Sequence, residues 1–180
     1  MSILKNLKRF FAKREISKAI KANKRSARFP KYSDVKTVML LFRSDVEEDN
    51  SKMKKYAKIL EADGKKVYMW GVIDKKEAES TQRAEYRLFG ESELNEYDLP
   101  CDKLVDEFRN NSYDMMIALY CNEELSLDYL LSHGRADFKV SAYKEEGAVS
   151  DLMIAVQEGK DEEYLLNQIL FYVRNVQSKD

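Results

Sequence analysis

One histidine, two cysteines and two prolines occur among 180 residues, and each scarcity removes a class of function. With His133 alone, most zinc sites and most histidine-based catalytic triads lack the ligands they need. Cys101 and Cys121 have no Cys-x-x-Cys spacing and no secretory leader precedes them, so they read as reduced thiols of a cytoplasmic protein. No apolar run approaches the ~20 residues that span a bilayer, which argues against an integral membrane segment. What is present, 44% hydrophobic and 35% charged residues, suits one compact domain rather than a disordered, collagenous or disulfide-built chain. A domain of about 150 residues buries ~68–70% of the surface its unfolded chain exposes. Its stability therefore calls for no metal, disulfide or cofactor.

The formal net charge of −1 hides a polarity. Residues 1–31 hold eleven Lys and Arg against Glu15 alone, a net +10, and residues 32–180 carry the opposing −11. Pro30 disfavours helical geometry at Phe29, and the basic composition stops there. The chain thus divides into a basic helical extension, 1–31, and an α/β domain, 32–180.

Within the domain, Val35 to Phe42 is a short, nearly continuous apolar run of the kind buried on both faces of a parallel sheet. Asp49, Asn50 and Ser51 are N-cap residues for a helix with Met53, Tyr56, Ala57 and Leu60 on one stripe, and Gly64 ends it. Lys66 to Ile73 completes a βαβ unit. A third strand falls at Tyr86, Leu88 and Phe89 or at Leu94 to Tyr97. Pro100 opens a helix with Leu104, Val105 and Phe108, and Tyr113 to Tyr120 is the next strand. Leu127, Leu130 and Leu131 then mark a helix closed by Gly134. Phe138 to Ala142 and Leu152 to Val156 are further strands, and Asp161 caps a last helix with Leu165, Ile169, Val173 and Val176 on its buried face. Alternating elements of this kind imply a three-layer α/β/α, Rossmann-like domain with a mostly parallel five- or six-stranded sheet, in the order 3-2-1-4-5-6.

The strings DVKTVMLLF, DGKKVYMWGVID, YDMMIALY, FKVSAY and DLMIAV, following a basic N-terminal helix, resemble an uncharacterised family of small α/β proteins from the Bacteroidota, a domain of unknown function. The family implies a fold and no known activity. More loosely, Tyr113 to Tyr143, with Ser132-His133-Gly134-Arg135-Ala136 before FKVSAY, looks like the acceptor-side half-domain of heptosyltransferase-type glycosyltransferases. That likeness implies a shared half-fold without the chemistry, because the nucleotide-sugar half has no room in this length.

In an open parallel sheet, ligands bind beyond the carboxyl ends of the strands at the topological switch point. Arg43, Ser44 and Asp45 with Tyr120, Cys121, Asn122 and Glu123 would flank that crevice, either as a ligand site or as ordinary loop and capping residues. The turn from Arg43 to Ser51 has no glycine and carries Asp45, Glu47, Glu48 and Asp49, which disfavours a phosphate there. Those acids suit a helix N-terminus, or a Mg²⁺ ion, although the matching aspartate at the end of the central strand is absent. His133, in the last helical turn, suits a capping role.

The extension offers a second lead. Ile3, Leu4, Leu7, Phe10 and Phe11 fall within an arc of about 120° on a helix, with Lys5, Lys8, Arg9 and Lys13 largely off it. That pattern suits an interfacial helix on anionic lipid. Arg14, Lys21, Lys24, Arg25, Arg28 and Lys31 extend the charge and would suit RNA or another polyanion. The third alternative is that the apolar arc docks on the helix's own domain or on a sister subunit, with the +10 segment neutralised by the −11 body. The residues identify no reaction. They favour a cytoplasmic binding or interaction module, with a location peripheral to the membrane as an alternative, over a small enzyme using the crevice.

Overall fold

The apolar string after Pro30 becomes the central strand of a seven-stranded sheet. The protein is described by a computed structural model over residues 3–44, 50–73, 81–82, 86–145, 147 and 149–175. Its elements are α1 (Ile3–Ala22), β1 (Thr37–Arg43), α2 (Ser51–Ala62), β2 (Lys66–Val72), β3 (Thr81–Gln82), β4 (Arg87–Phe89), α3 (Asp102–Arg109), β5 (Ser112–Leu119), α4 (Leu125–His133), β6 (Arg135–Ala142), β7 (Leu152–Ile154) and α5 (Glu162–Asn175). The order across the sheet is β3-β4-β2-β1-β5-β6-β7. Six strands are parallel in the expected order, and β3 adds a two-residue antiparallel edge.

Both faces of β1 are covered, which is why its sequence shows no alternation. Val38, Leu40 and Phe42 join α2 and α5 in one core, with Tyr56, Leu60, Leu165 and Ile169 among their neighbours. Met39 and Leu41 face α3 and α4 in a second core with Leu104, Phe108, Leu127, Leu130 and Leu131. Full burial of one such side chain stabilises by roughly 1.5–3 kcal/mol, so two cores of this size hold the three layers together.

The third strand is Arg87–Phe89, whereas Leu94 makes only an isolated bridge to Pro100. The expected cap of α5 is present, with Asp161 Oδ1 accepting the Tyr164 N–H at 3.2 Å. Val176 lies outside the described residues, as do Asp45, Glu47, Glu48 and Asp49. Gly64 ends α2 with φ +78°, as a helix-terminating glycine should.

Gly134 needs its small size for another reason. Its φ of −61° is open to any residue, but a Cβ there would stand 2.5 Å from Met116 Sδ and 3.0 Å from Phe108 Cε1. The glycine lets the α4–β6 junction press against β5 and α3.

α1 lies outside these layers, along α4. Its docked face is Ala12, Ile16 and Ala19, all buried, and not the arc of larger residues expected to dock. The correction has a steric cause: small residues let two helix backbones approach closely, and they stand opposite the large apolar set on the helical wheel. Ile3, Leu4, Leu7 and Phe10 are consequently 87%, 64%, 50% and 63% exposed.

Candidate functional site

The carboxyl ends of β1 and β5 lead to loops on either side of the switch point. At β1, the Ser44 N–H donates to the Val72 carbonyl (2.8 Å) and its hydroxyl donates to Asn50 Oδ1 (3.0 Å), while Arg43 is exposed. Asp45 is outside the described residues. At β5, Tyr120 is buried and its hydroxyl donates to Asp128 Oδ1 at 2.7 Å. The Lys144 ammonium bonds the same carboxylate oxygen and lies 4.7 Å above the Tyr120 ring. Burial, with the Asp128 charge beside it, pushes the Tyr120 phenol well above its ordinary pKa. Tyr120 therefore stays protonated and acts as a donor.

Above this trio opens a cleft of about 660 Å³, walled by α1 through Arg9, Lys13 and Ile16 and by Asn122, Glu123, Asp128 and Lys144 on the domain. Asn122 and Glu123 thus share one site with Asp128 and Lys144, next to Tyr120. Arg43 and Ser44 do not line it. No spacing pattern in the sequence marks Asp128 and Lys144, although an acid inside the string LSLDYLL is the sort of charge that an apolar helix face must pair. Among the described residues no three metal-ligating side chains converge.

The basic segment is held by acids of the body. Lys8 bonds Asp98 (2.8 Å), Arg9 grips Glu123 with two bonds of 2.8 and 2.9 Å, and Lys13 stands 3.4 Å from the same carboxylate. The Arg9 guanidinium, with Lys13 beside it, holds the Glu123 carboxyl below its ordinary range. Beyond α1, Asn23 Nδ2 donates to the carbonyls of Ser132 (2.7 Å) and Gly134 (3.0 Å), at the end of α4. Arg25 bonds Asp151 (2.6 Å), whose other oxygen accepts the Lys139 N–H (2.8 Å). Phe29 packs edge-on against Phe138 at 4.9 Å. Residues 8–29 form a strap along α4, from the loop before it to the strand after it.

The remaining cations face outward. Lys5, Arg14, Lys21, Lys24 and Arg28 are exposed and make no ion pair with the described residues. Lys18 pairs with Glu15 (2.6 Å). His133 is half-buried against Tyr129, ring centroids 4.6 Å apart, and burial lowers its pKa. Burial therefore works against the cation that a dipole-capping role would use.

Fold and strap together define a doubly wound α/β protein with an N-terminal helix fastened outside its layers. The chain belongs to DUF6913, a family of unknown function whose model matches residues 8–175 and so includes most of that helix. No curated protein and no solved structure matches the chain. Nothing in these comparisons supports the Bacteroidota origin or the heptosyltransferase likeness. No helix among the described residues is long and apolar enough to cross a membrane.

Proposed function

We propose that the protein is an interaction module of the cytoplasm in which residues 32–180 form a body and residues 1–31 a strap whose outward face is the working surface. One observation carries this: Ile3, Leu4, Leu7 and Phe10 stand exposed together on a helix whose opposite face is already docked. Single exposed apolar residues are ordinary, whereas a contiguous group of large ones marks a surface that something else covers. An RNA-binding role draws less support, because Lys8, Arg9, Lys13 and Arg25 are engaged by the protein's own acids.

A photoreactive amino acid placed at Phe10 in living cells tests the surface, with the exposed Lys58 position on α2 as control. An interaction surface gives an intermolecular adduct, to lipid, protein or a second copy, from Phe10 and not from Lys58. Adducts confined to the chain itself or to water would overturn the proposal.

A second role is supported by the Tyr120, Asp128 and Lys144 trio under the 660 Å³ cleft, which suits a small polar ligand held between α1 and the α4 start. Such a ligand would raise the melting temperature of the full chain, and the increase would be lost in Lys144→Met. A panel of metabolites that never shifts the melting temperature would remove this role.

A further inference from the structure

We infer that the outward face of α1 docks on the surface of an anionic lipid bilayer, an inference that rests on the interaction role proposed above and names its partner. Residues 3, 7, 10, 14, 18 and 21 are spaced four, three, four, four and three apart and so lie along one line of the helix. That line reads Ile3, Leu7 and Phe10 over its first half and Arg14, Lys18 and Lys21 over its second, with Leu4 beside the apolar end. α1 is 20 residues long, which is ~30 Å at ~1.5 Å per residue. Apolar and cationic halves therefore lie end to end on one exposed surface.

The charge and shape of this surface select among partners. One face of a single helix is a convex surface rather than a groove. A second copy meeting it face to face would bring Arg14 and Lys21 against apolar residues or against their own counterparts, because Glu15 is the only acid on α1 and it already holds Lys18. RNA would satisfy the cations and leave Ile3, Leu4, Leu7 and Phe10 in water. A bilayer with anionic headgroups satisfies both halves: acyl chains receive the apolar residues, and headgroup phosphates or carboxylates pair with Arg14, Lys21 and the nearby Lys24. The docked face of α1 also fixes the presentation. With Ala12, Ile16 and Ala19 buried on the body, the outward residues are already presented without the helix having to roll or detach, and the net-negative body lies on its far side. Phe11 is half-buried, its ring 5.3 Å from Tyr97, which braces the apolar end against the domain.

The test is flotation of the full chain with vesicles of phosphatidylcholine alone or with roughly a third phosphatidylglycerol. Binding is expected to the anionic vesicles and to weaken at least tenfold on phosphatidylcholine, on Leu7→Glu/Phe10→Glu, and on Arg14→Glu/Lys21→Glu. All four positions are exposed, so circular dichroism should show unchanged folding. Anionic-vesicle binding that survives Leu7→Glu/Phe10→Glu would reduce the effect to plain electrostatics and overturn the inference. No vesicle binding, with self-association that the same variant abolishes, would remove lipid as the partner and keep the interaction surface. Absence of vesicle binding, of self-association and of any adduct at Phe10 would remove both.

Discussion

Lys139 sits in the middle of β6 with 1% of its surface exposed, its ammonium donating to the Leu131 carbonyl in the last turn of α4. Burial, with the Arg25 charge acting the same way and Asp151 opposing, brings its pKa from 10.5 down to about 7. Between those two values the unfolded chain binds more protons than the folded one, so stability rises with pH. Below pH 7 the amine is charged in both states, and above 10.5 it is neutral in both, so the window is bounded at each end. Over pH 7 to 9, a group with these two pKa values adds about 2 kcal/mol to the stability of the folded state. For a chain of this length that is a rise of about 4–8 °C in melting temperature. Lys139→Met keeps the unbranched volume and removes the proton. His133 faces the same region, but its lowered pKa places its titration beneath this window. Melting curves of wild type and variant at pH 7, 8 and 9 should therefore diverge, with the wild type gaining relative to the variant as pH rises. Parallel pH profiles would show that Lys139 titrates normally and would refute the burial argument.

The remaining structural features make further demands. Gly134→Ala forces a Cβ against Met116 Sδ and should cost roughly 1–3 kcal/mol in a denaturant titration, whereas a backbone-conformation argument would predict little loss. Tyr120→Phe should cost about 1 kcal/mol and Asp128→Ala roughly 3–5 kcal/mol, because the second change leaves the partly buried Lys144 without its counter-charge. Equal losses would mean that the trio is not organised around the carboxylate. Ile16→Asp should release α1 and open its many basic sites to trypsin, while Leu7→Asp, on the exposed face, should leave the native chain as resistant as wild type. Resistance in both would contradict docking through the small-residue face.

Most of the layered fold could be read in the amino-acid sequence because its signals are local and redundant. Val38 to Phe42 carries no polar residue, α2 shows its stripe at Met53, Tyr56, Ala57 and Leu60, and Asp161 and Gly64 mark helix ends by side-chain chemistry and positive φ. The docking of α1 was not readable in the same way. Hydrophobic periodicity weights Phe and Leu above Ala, whereas close approach to α4 selects Ala12 and Ala19 because they are small. The site was half legible. A fold-level rule picked Tyr120, Asn122 and Glu123, but the partner of Tyr120 sits eight residues on, at Asp128, and that of Asp128 sixteen further, at Lys144. Only the third dimension joins them. Glu123, read in the sequence as a crevice residue or an ordinary loop residue, lines the cleft and also holds Arg9, a pairing across 114 residues that no spacing rule anticipates.

The two carbonyls at the end of α4 that accept hydrogen bonds from Asn23 Nδ2 have a practical consequence for anyone shortening this chain. A helix normally finishes with residues that follow it in sequence, yet α4 is finished by one more than a hundred positions earlier. Cutting the gene after residue 31 would therefore expose the end of a different element and leave Asp98, Glu123 and Asp151 without their cations. Lost binding in such a truncation would be indistinguishable from a damaged fold. Substitutions on the outer face of α1 remove the surface and leave that repair in place, so they, and not deletions, are the instrument for dissecting the strap.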